Sequence, residues 1–220
     1  MTDSPRGRLR RCLAAGAVVA IVALSFFAVV ASQVLSNGPL AQLDAQLVGR
    51  MHAGGSPALA RVTLAFTNIH GTAGVLVLAA LLALFLASRR DWLWVWALIV
   101  CVPGAMLLNV AVKNIFQRAR PRFDNPLATL ETFSFPSGHV AAATALYGFV
   151  TVLWIAHAQG RVRRLVVVPL ALLMIVLVAL SRMVLGVHYL SDVLAAFAQS
   201  CAWLAVWLSV VAGWAMRPKA

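Results

Sequence analysis

Six long stretches without Asp, Glu, Lys or Arg decide what this chain can become: residues 13–31, 62–88, 92–112, 138–160, 165–181 and 193–216. Most reach the length of about 20 residues that a helix needs to cross the hydrocarbon core of a bilayer. The fifth is the shortest; it predicts a helix running on through Ser181 and Arg182 toward Leu185, with Arg182 facing inward. A buried helix of a soluble domain would carry a polar stripe on its outer face, and none of the six shows one. With 62% hydrophobic and 11% charged residues, the composition also falls outside the soluble range. The expectation is an all-α bundle of six transmembrane helices, forming a single domain over 1–220.

The first stretch follows Arg6, Arg8, Arg10 and Arg11, as the core of a secretory signal would. It is longer than the roughly 7–15 apolar residues of such a core, and Val29-Val-Ala31 is only a weak cleavage site. A retained first helix is expected. Eleven of the 18 Lys and Arg residues fall on one side of a six-crossing chain: the four N-terminal arginines, then Arg89 and Arg90, then Arg161, Arg163 and Arg164, then Arg217 and Lys219. The positive-inside rule makes that side cytoplasmic. It predicts a multi-pass protein of the cell (inner) membrane, with a basic cytoplasmic N-terminus at 1–12 and a cytoplasmic tail at 217–220. The net charge of +12 is spread loop by loop along an apolar chain, which speaks for lipid head groups as partners and against nucleic acid. Cys12, Cys101 and Cys201 lack metal-ligand spacing and read as small packing residues. Oligomeric state leaves no mark in the sequence.

The connection 32–61 holds two turn signals, Asn37-Gly-Pro39 and Gly54-Gly-Ser-Pro57. Between them Leu40, Leu43, Leu47, Val48 and Met51 recur at helical spacing, with Asp44 and Arg50 placed off that face. A short helix lying on the outer surface, or packed on its own bundle, is expected.

Three short segments carry the chemistry: Lys113-Asn-Ile-Phe-Gln-Arg-Ala-Arg-Pro121, Phe135-Pro-Ser-Gly-His139 and Ser181-Arg-Met-Val-Leu-Gly-Val-His-Tyr-Leu-Ser-Asp192. All three fall on the outer side, each at the edge of an apolar run. Ionisable groups there are costly unless something uses them, and a phosphate ester would use all of these. Lys113 and Arg120, seven apart, read as one face of a helix or its frayed end, which Pro121 would stop. A lysine offers phosphate a point charge and an arginine a planar fork. Arg118 and Arg122 lie on other faces and read as lipid anchors. Ser137 reads as a helix N-cap, Gly138 as a place of close backbone approach, and the following helix as a source of N–H groups and positive dipole for an anion. His139, in that first turn, reads as an acid for a leaving oxygen. His188 and Asp192, four apart, read as one helical face on which the carboxylate fixes the imidazole tautomer and leaves the other nitrogen free to attack. Gly186 permits a bend that brings Arg182 to the same place. His52 and His70 lack a partner in sequence, His157 falls on the inner side, and Ser134, Asn109 and Asn114 are minor candidates for binding. No cluster has metal-ligand spacing, so no metal or other cofactor is expected.

These segments resemble the signature of the type-2 phosphatidic-acid phosphatase superfamily, the integral-membrane lipid phosphate phosphatases. Lys113, Arg120 and Pro121, then Pro136, Ser137, Gly138 and His139, then Ser181, Arg182, His188 and Asp192 all match, with the spacing inside each motif. The resemblance implies metal-independent hydrolysis of a lipid phosphate or diphosphate through a phosphohistidine. It implies His188 as nucleophile, Asp192 as its orienting partner and His139 as acid. Lys113, Arg120, Ser137, Gly138 and Arg182 would bind the phosphoryl group. Short bacterial members act on undecaprenyl diphosphate or phosphatidylglycerophosphate, and the outward site favours undecaprenyl diphosphate. Phosphatidic acid hydrolysis, or phosphate transfer to another lipid or sugar, are the alternatives. The vanadium haloperoxidases share this pocket but are soluble, which sets them apart from this chain.

Overall fold

A computed structural model describes residues 5–54, 56–124, 126–128, 130–157 and 161–215; the side chains of 5, 6, 8 and 161–164 are not part of that description. Of the flanks expected on the cytoplasmic side, Arg6, Arg8, Arg161, Arg163, Arg164, Arg217 and Lys219 thus lie outside the described side chains, as does the tail 217–220. The described residues form helices α1 (Pro5–Leu35), α2 (Pro39–Ala53), α3 (Pro57–Ile69), α4 (Thr72–Ser88), α5 (Trp92–Phe116), α6 (Gly138–His157), α7 (Arg161–Val184) and α8 (Leu190–Ala215), with no strand among them.

Five helices, α1, α5, α6, α7 and α8, are each long and apolar enough to cross a membrane. The stretch 62–88, expected as one helix, is instead two, α3 and α4, bent by 43° at a short break; together they are long and apolar enough for a sixth crossing. The uncharged run is continuous, but the backbone is not, and the break falls at the polar residues Thr67, Asn68, His70, Gly71 and Thr72. The α3 helix ends at His70, whose N–H turns back to the Thr67 carbonyl at 3.0 Å, and Gly71 caps α4. A Cβ on Gly71 would stand 3.3 Å from the Asn68 carbonyl, a tight fit within the turn, and 3.5 Å from His139 Nε2, in ordinary contact with the start of α6.

The short helix of the 32–61 connection is α2, and it packs on its own bundle. Pro39 fits its first turn, where a missing N–H costs nothing. Val48 is buried as the spacing requires. Asp44 departs from expectation: it was placed off the packing face and is fully buried. The reason lies in the site below.

Helix α6 stands between α5, α7 and α8. Ala141, Ala142, Ala143 and Ala145 on α6, and Ala195, Ala196, Ala198 and Ala202 on α8, are all buried. Side chains this small let helix backbones approach closely, the form of packing that works where lipid removes the hydrophobic drive between helices. Helix α1 lies along α8, with Gly16 against the Ser209 side chain. Large apolar residues such as Leu84, Phe85, Leu107 and Leu165 point outward, as a lipid-facing surface requires.

Candidate active site

The three motifs meet where α5 ends, α6 begins, α7 ends and α8 begins. Helix α5 stops at Phe116, five residues before Pro121, because Gln117 takes a left-handed conformation with φ 47° and closes its N–H onto the Lys113 carbonyl at 3.0 Å. The expected helical face shared by Lys113 and Arg120 therefore does not form. Lys113 sits in the last turn of α5, and Arg120 reaches the site from the extended chain beyond it.

That chain folds back on itself. Ser134 N–H donates to the Arg118 carbonyl at 2.8 Å. Lys113 Nζ donates to the Phe133 carbonyl at 2.6 Å. The Arg120 guanidinium donates through Nε to Thr132 O at 2.6 Å, through Nη2 to Thr132 Oγ1 at 2.9 Å, and through Nη1 to Val187 O at 2.7 Å. A planar fork held at three points has a fixed direction. Phe135, fully buried against Phe27 and Phe116, anchors the return, and the peptide before Pro136 is cis.

Ser137 opens α6 but not as a side-chain cap. Its Oγ is buried with no hydrogen-bond partner, while its N–H donates to the Asp192 carbonyl at 3.0 Å. The first-turn N–H groups of an α-helix lack intrahelical acceptors, so α6 presents Gly138 and His139 at an anion-accepting end. At the far side of the site Arg182 is buried; Nη1 donates to Thr67 Oγ1 at 3.0 Å and Nε has no partner among the described residues.

Gly186, at φ +69°, turns the chain from α7 toward α8. A Cβ there would collide with Phe123 and His52, which stack on each other. His188 precedes α8 and Asp192 lies in its first turn, so the pair forms across a helix start and not along a helical face. Nδ1 of His188 is 3.2 Å from Oδ2 of Asp192, which also accepts from the Tyr189 N–H at 2.9 Å and from Ser134 Oγ. Nε2 faces Arg120 Nη1 at 3.1 Å. His188 lies outside the spanning helices, and burial pushes its pKa down to about 3 against the pull of Asp192.

A cavity of about 690 Å³ opens beside these groups. Lys113, Arg120, Gly138, His139 and His188 line it together with Asn109, Thr72 and the apolar Leu76, Leu107 and Val110. Ser137, Arg182 and Asp192 are not among its lining residues. Among the described residues no three His, Cys, Asp or Glu side chains converge as metal ligands would.

Five residues matter more than their sequence context indicates. Ser134 is tied to Asp192, and Asn109 faces the cavity with a buried, unpartnered Nδ2. Arg118, read from its spacing as a lipid anchor, instead bridges two carboxylates. Nη1 meets Asp192 Oδ1 at 2.8 Å and Nη2 meets Asp44 Oδ2 at 2.9 Å. Asp44 carried one usable signal: the whole chain has only six Asp and Glu residues, and this one lies among apolar residues at helical spacing. His70, unpartnered in sequence, bonds Tyr147 Oη at 2.7 Å and packs at the α3–α4 break. His157 sits at the opposite end, 3.3 Å from Asp91.

A family model described as the PAP2 superfamily matches residues 94–215. Phosphatidylglycerophosphatase B of Bacillus subtilis is 36% identical over 107 residues, 47% of this chain and 52% of that protein. Decaprenylphosphoryl-5-phosphoribose phosphatase of Mycolicibacterium smegmatis is 36% identical over 129 residues, 56% of this chain and 62% of that protein. The chain thus matches little more than half the length of these relatives. The crystal structure of a transmembrane PAP2-type phosphatidylglycerolphosphate phosphatase from Bacillus subtilis superposes with a TM-score of 0.78 at 26% identity, covering 91% of this chain and 97% of that one. Aquifex aeolicus LpxE shares the fold, with a TM-score of 0.60 at 22% identity over 76% of this chain and 94% of that one.

Proposed function

The chain belongs to the PAP2 superfamily, and on that premise we propose that it is a lipid phosphatase working through a phosphohistidine on His188. The observation that carries the reading is the direction of the His188 ring. Asp192 holds Nδ1, so Nδ1 bears the proton, and the Nε2 lone pair is turned toward Arg120 at the cavity.

The chemistry follows from that placement. Nε2 attacks phosphorus while the bond from phosphorus to the lipid oxygen breaks, and His139 delivers a proton to that oxygen. Arg120, Lys113, Arg182, the Ser137 hydroxyl and the first-turn N–H groups of α6 hold the phosphoryl oxygens. Donors aimed at developing charge in a dry site stabilise the transition state more than the ground state. Water then attacks the phosphorus while the phosphorus–Nε2 bond breaks and returns its electron pair to His188; His139 takes up a proton from the water, and inorganic phosphate leaves. The unpartnered Ser137 Oγ and Arg182 Nε support this use, since buried polar groups without partners are otherwise costly.

For the substrate, the relatives' names favour a phosphate carried on a lipid-linked head group, as in phosphatidylglycerophosphate. Undecaprenyl diphosphate remains the second reading, resting on the outward site that the loop cations imply. Single-domain organisation over 1–220, placement in the cell membrane and cytoplasmic termini belong to the same proposal.

The test is release of inorganic phosphate by purified protein from phosphatidylglycerophosphate, phosphatidic acid and undecaprenyl diphosphate, in excess EDTA and with no added acceptor. Release in EDTA is expected, highest with phosphatidylglycerophosphate. Release that appears only with an added lipid or sugar acceptor would make the protein a transferase. Release lost in EDTA and restored by magnesium or zinc would overturn the mechanism.

A further inference from the structure

One fully buried charge lies outside the proposed reaction. Asp44, on the short surface helix α2, is fully buried and far in sequence from every motif. Its carboxylate accepts from the Ser191 N–H at 2.9 Å, from Ser191 Oγ, and from Arg118 Nη2 at 2.9 Å. Arg118 turns its other arm, Nη1, to Asp192 Oδ1 at 2.8 Å and to Ser191 Oγ at 2.6 Å. Tyr189 covers the guanidinium, 4.1 Å from its ring centre. One arginine therefore joins two buried carboxylates, one of them the partner of His188.

From this geometry we propose that Asp44 is a positioning residue for the His188–Asp192 pair, acting through Arg118. The proposal rests on the reading of His188 as nucleophile. The two oxygens of Asp192 do separate jobs. Oδ2 receives His188, Ser134 and the Tyr189 N–H. Oδ1 receives the Arg118 arm. A charge-assisted donor on the other oxygen of a buried carboxylate offsets its desolvation and holds it ionised, and so holds it as acceptor of the His188 N–H. Arg118 can give that bond in one orientation only. Asp44 fixes the orientation by taking the opposite arm and the helix-start N–H of Ser191 together. Without Asp44, Arg118 loses the partner of its Nη2 arm beside an open pocket carrying Arg120 and Arg122, and is held to Asp192 only by Nη1, Ser191 Oγ and the Tyr189 ring.

Neither Asp44 nor Arg118 lines the cavity in which Lys113, Arg120, His139 and His188 stand. A positioning role therefore predicts a loss in kcat with little change in KM, whereas a staple for α2 alone predicts loss of stability with the activity of the folded fraction intact. The experiment uses the full chain in detergent, hydrolysing short-chain phosphatidic acid, with the folded fraction fixed by thermal unfolding. Asp44→Asn is expected to lower kcat by about 10–100-fold, the scale of one buried charge-assisted bond, with KM within about threefold. Asp44→Asn combined with Arg118→Gln is expected to be no worse than Arg118→Gln alone, because both act on one contact. A kcat within about twofold of wild type in Asp44→Asn, a change confined to KM, or losses that multiply in the double variant would each overturn the proposal. If Asp44→Asn does not fold, Arg118→Lys takes its place; it keeps the charge but cannot span two carboxylates. The same split is expected there, and wild-type kcat overturns the proposal. His188→Ala is run alongside. A dead His188→Ala with an active Asp44→Asn removes the positioning role alone, while an active His188→Ala removes the nucleophile reading and the positioning role with it.

Discussion

Arg120 Nη1 lies 3.1 Å from His188 Nε2, on the side of the ring away from Asp192. A guanidinium only donates, so Nε2 is the acceptor and carries no proton. The nitrogen proposed to attack is thus already turned toward a cation, in the place where a phosphoryl group would arrive with its negative charge.

Removing the ring should remove the reaction. His188→Ala is expected to lower phosphate release by at least about a thousandfold, since no other group can form the covalent intermediate. Asp192→Asn is expected to cost less, up to about 10⁴-fold being the scale where a carboxylate sets a histidine tautomer. Thermal unfolding in detergent should show both variants folded. Near wild-type release from His188→Ala would rule out the phosphohistidine.

The role of His139 depends on the leaving group. An ordinary lipid alkoxide needs a proton as it departs, and p-nitrophenolate barely does. His139→Ala is expected to depress turnover of a lipid phosphate far more than that of p-nitrophenyl phosphate. Equal losses on the two substrates would make His139 a binding residue.

His188 should also shape stability against pH. Its folded pKa, lowered to about 3 by burial, lies below the unfolded value near 6.5. Between those values the unfolded chain binds a proton that the folded one refuses. Stability therefore falls as pH drops from about 6.5 toward 3, by at most about 1.4 kcal/mol per pH unit from this group. Thermal midpoints at pH 7.5 and 5 should drop less in His188→Ala than in the parent. An identical drop in both would remove His188 as the source.

Sidedness can be read with cysteines in a background where Cys12, Cys101 and Cys201 are replaced. Asp124 is exposed in the chain beyond α5, and Ser88 is exposed at the opposite end, where α4 ends. Asp124→Cys is expected to react with a membrane-impermeant thiol reagent on intact cells, and Ser88→Cys only after lysis. The reverse labelling would place the site in the cytoplasm.

The sequence shows the spans because apolar length is a local property. Each of the runs 92–112, 138–160 and 165–181 reads correctly without knowledge of any other. It hides the break at His70 and Gly71 because the run 62–88 carries no charge, so the polar Thr67, Asn68, His70, Gly71 and Thr72 pass as a shallow dip inside one uncharged stretch. The motif residues are legible as types, and their meeting follows from placing three segments at one end of the bundle. Arg118 is a different case. It stands two residues from Arg120 and four from Arg122, and nothing local separates the three. What distinguishes Arg118 is Asp44, 74 positions earlier. Such a pairing is a property of the fold and has no trace in spacing. The Gln117 turn is hidden too, since glutamine gives no hint of left-handed backbone.

The cavity has two kinds of wall, and this bears on where the products go. Its charged wall carries Lys113, Arg120 and His188, while Leu107 and Val110 of its other wall are 71% and 54% exposed on the lipid-facing side of α5. On the proposed reaction, the dephosphorylated lipid is released into the leaflet from which it came and the phosphate ion into water. The two products enter separate phases and do not meet again at appreciable concentration. Partition lowers the chance that both products return to the site together, so the back reaction is slowed by product separation and not by any feature of the site.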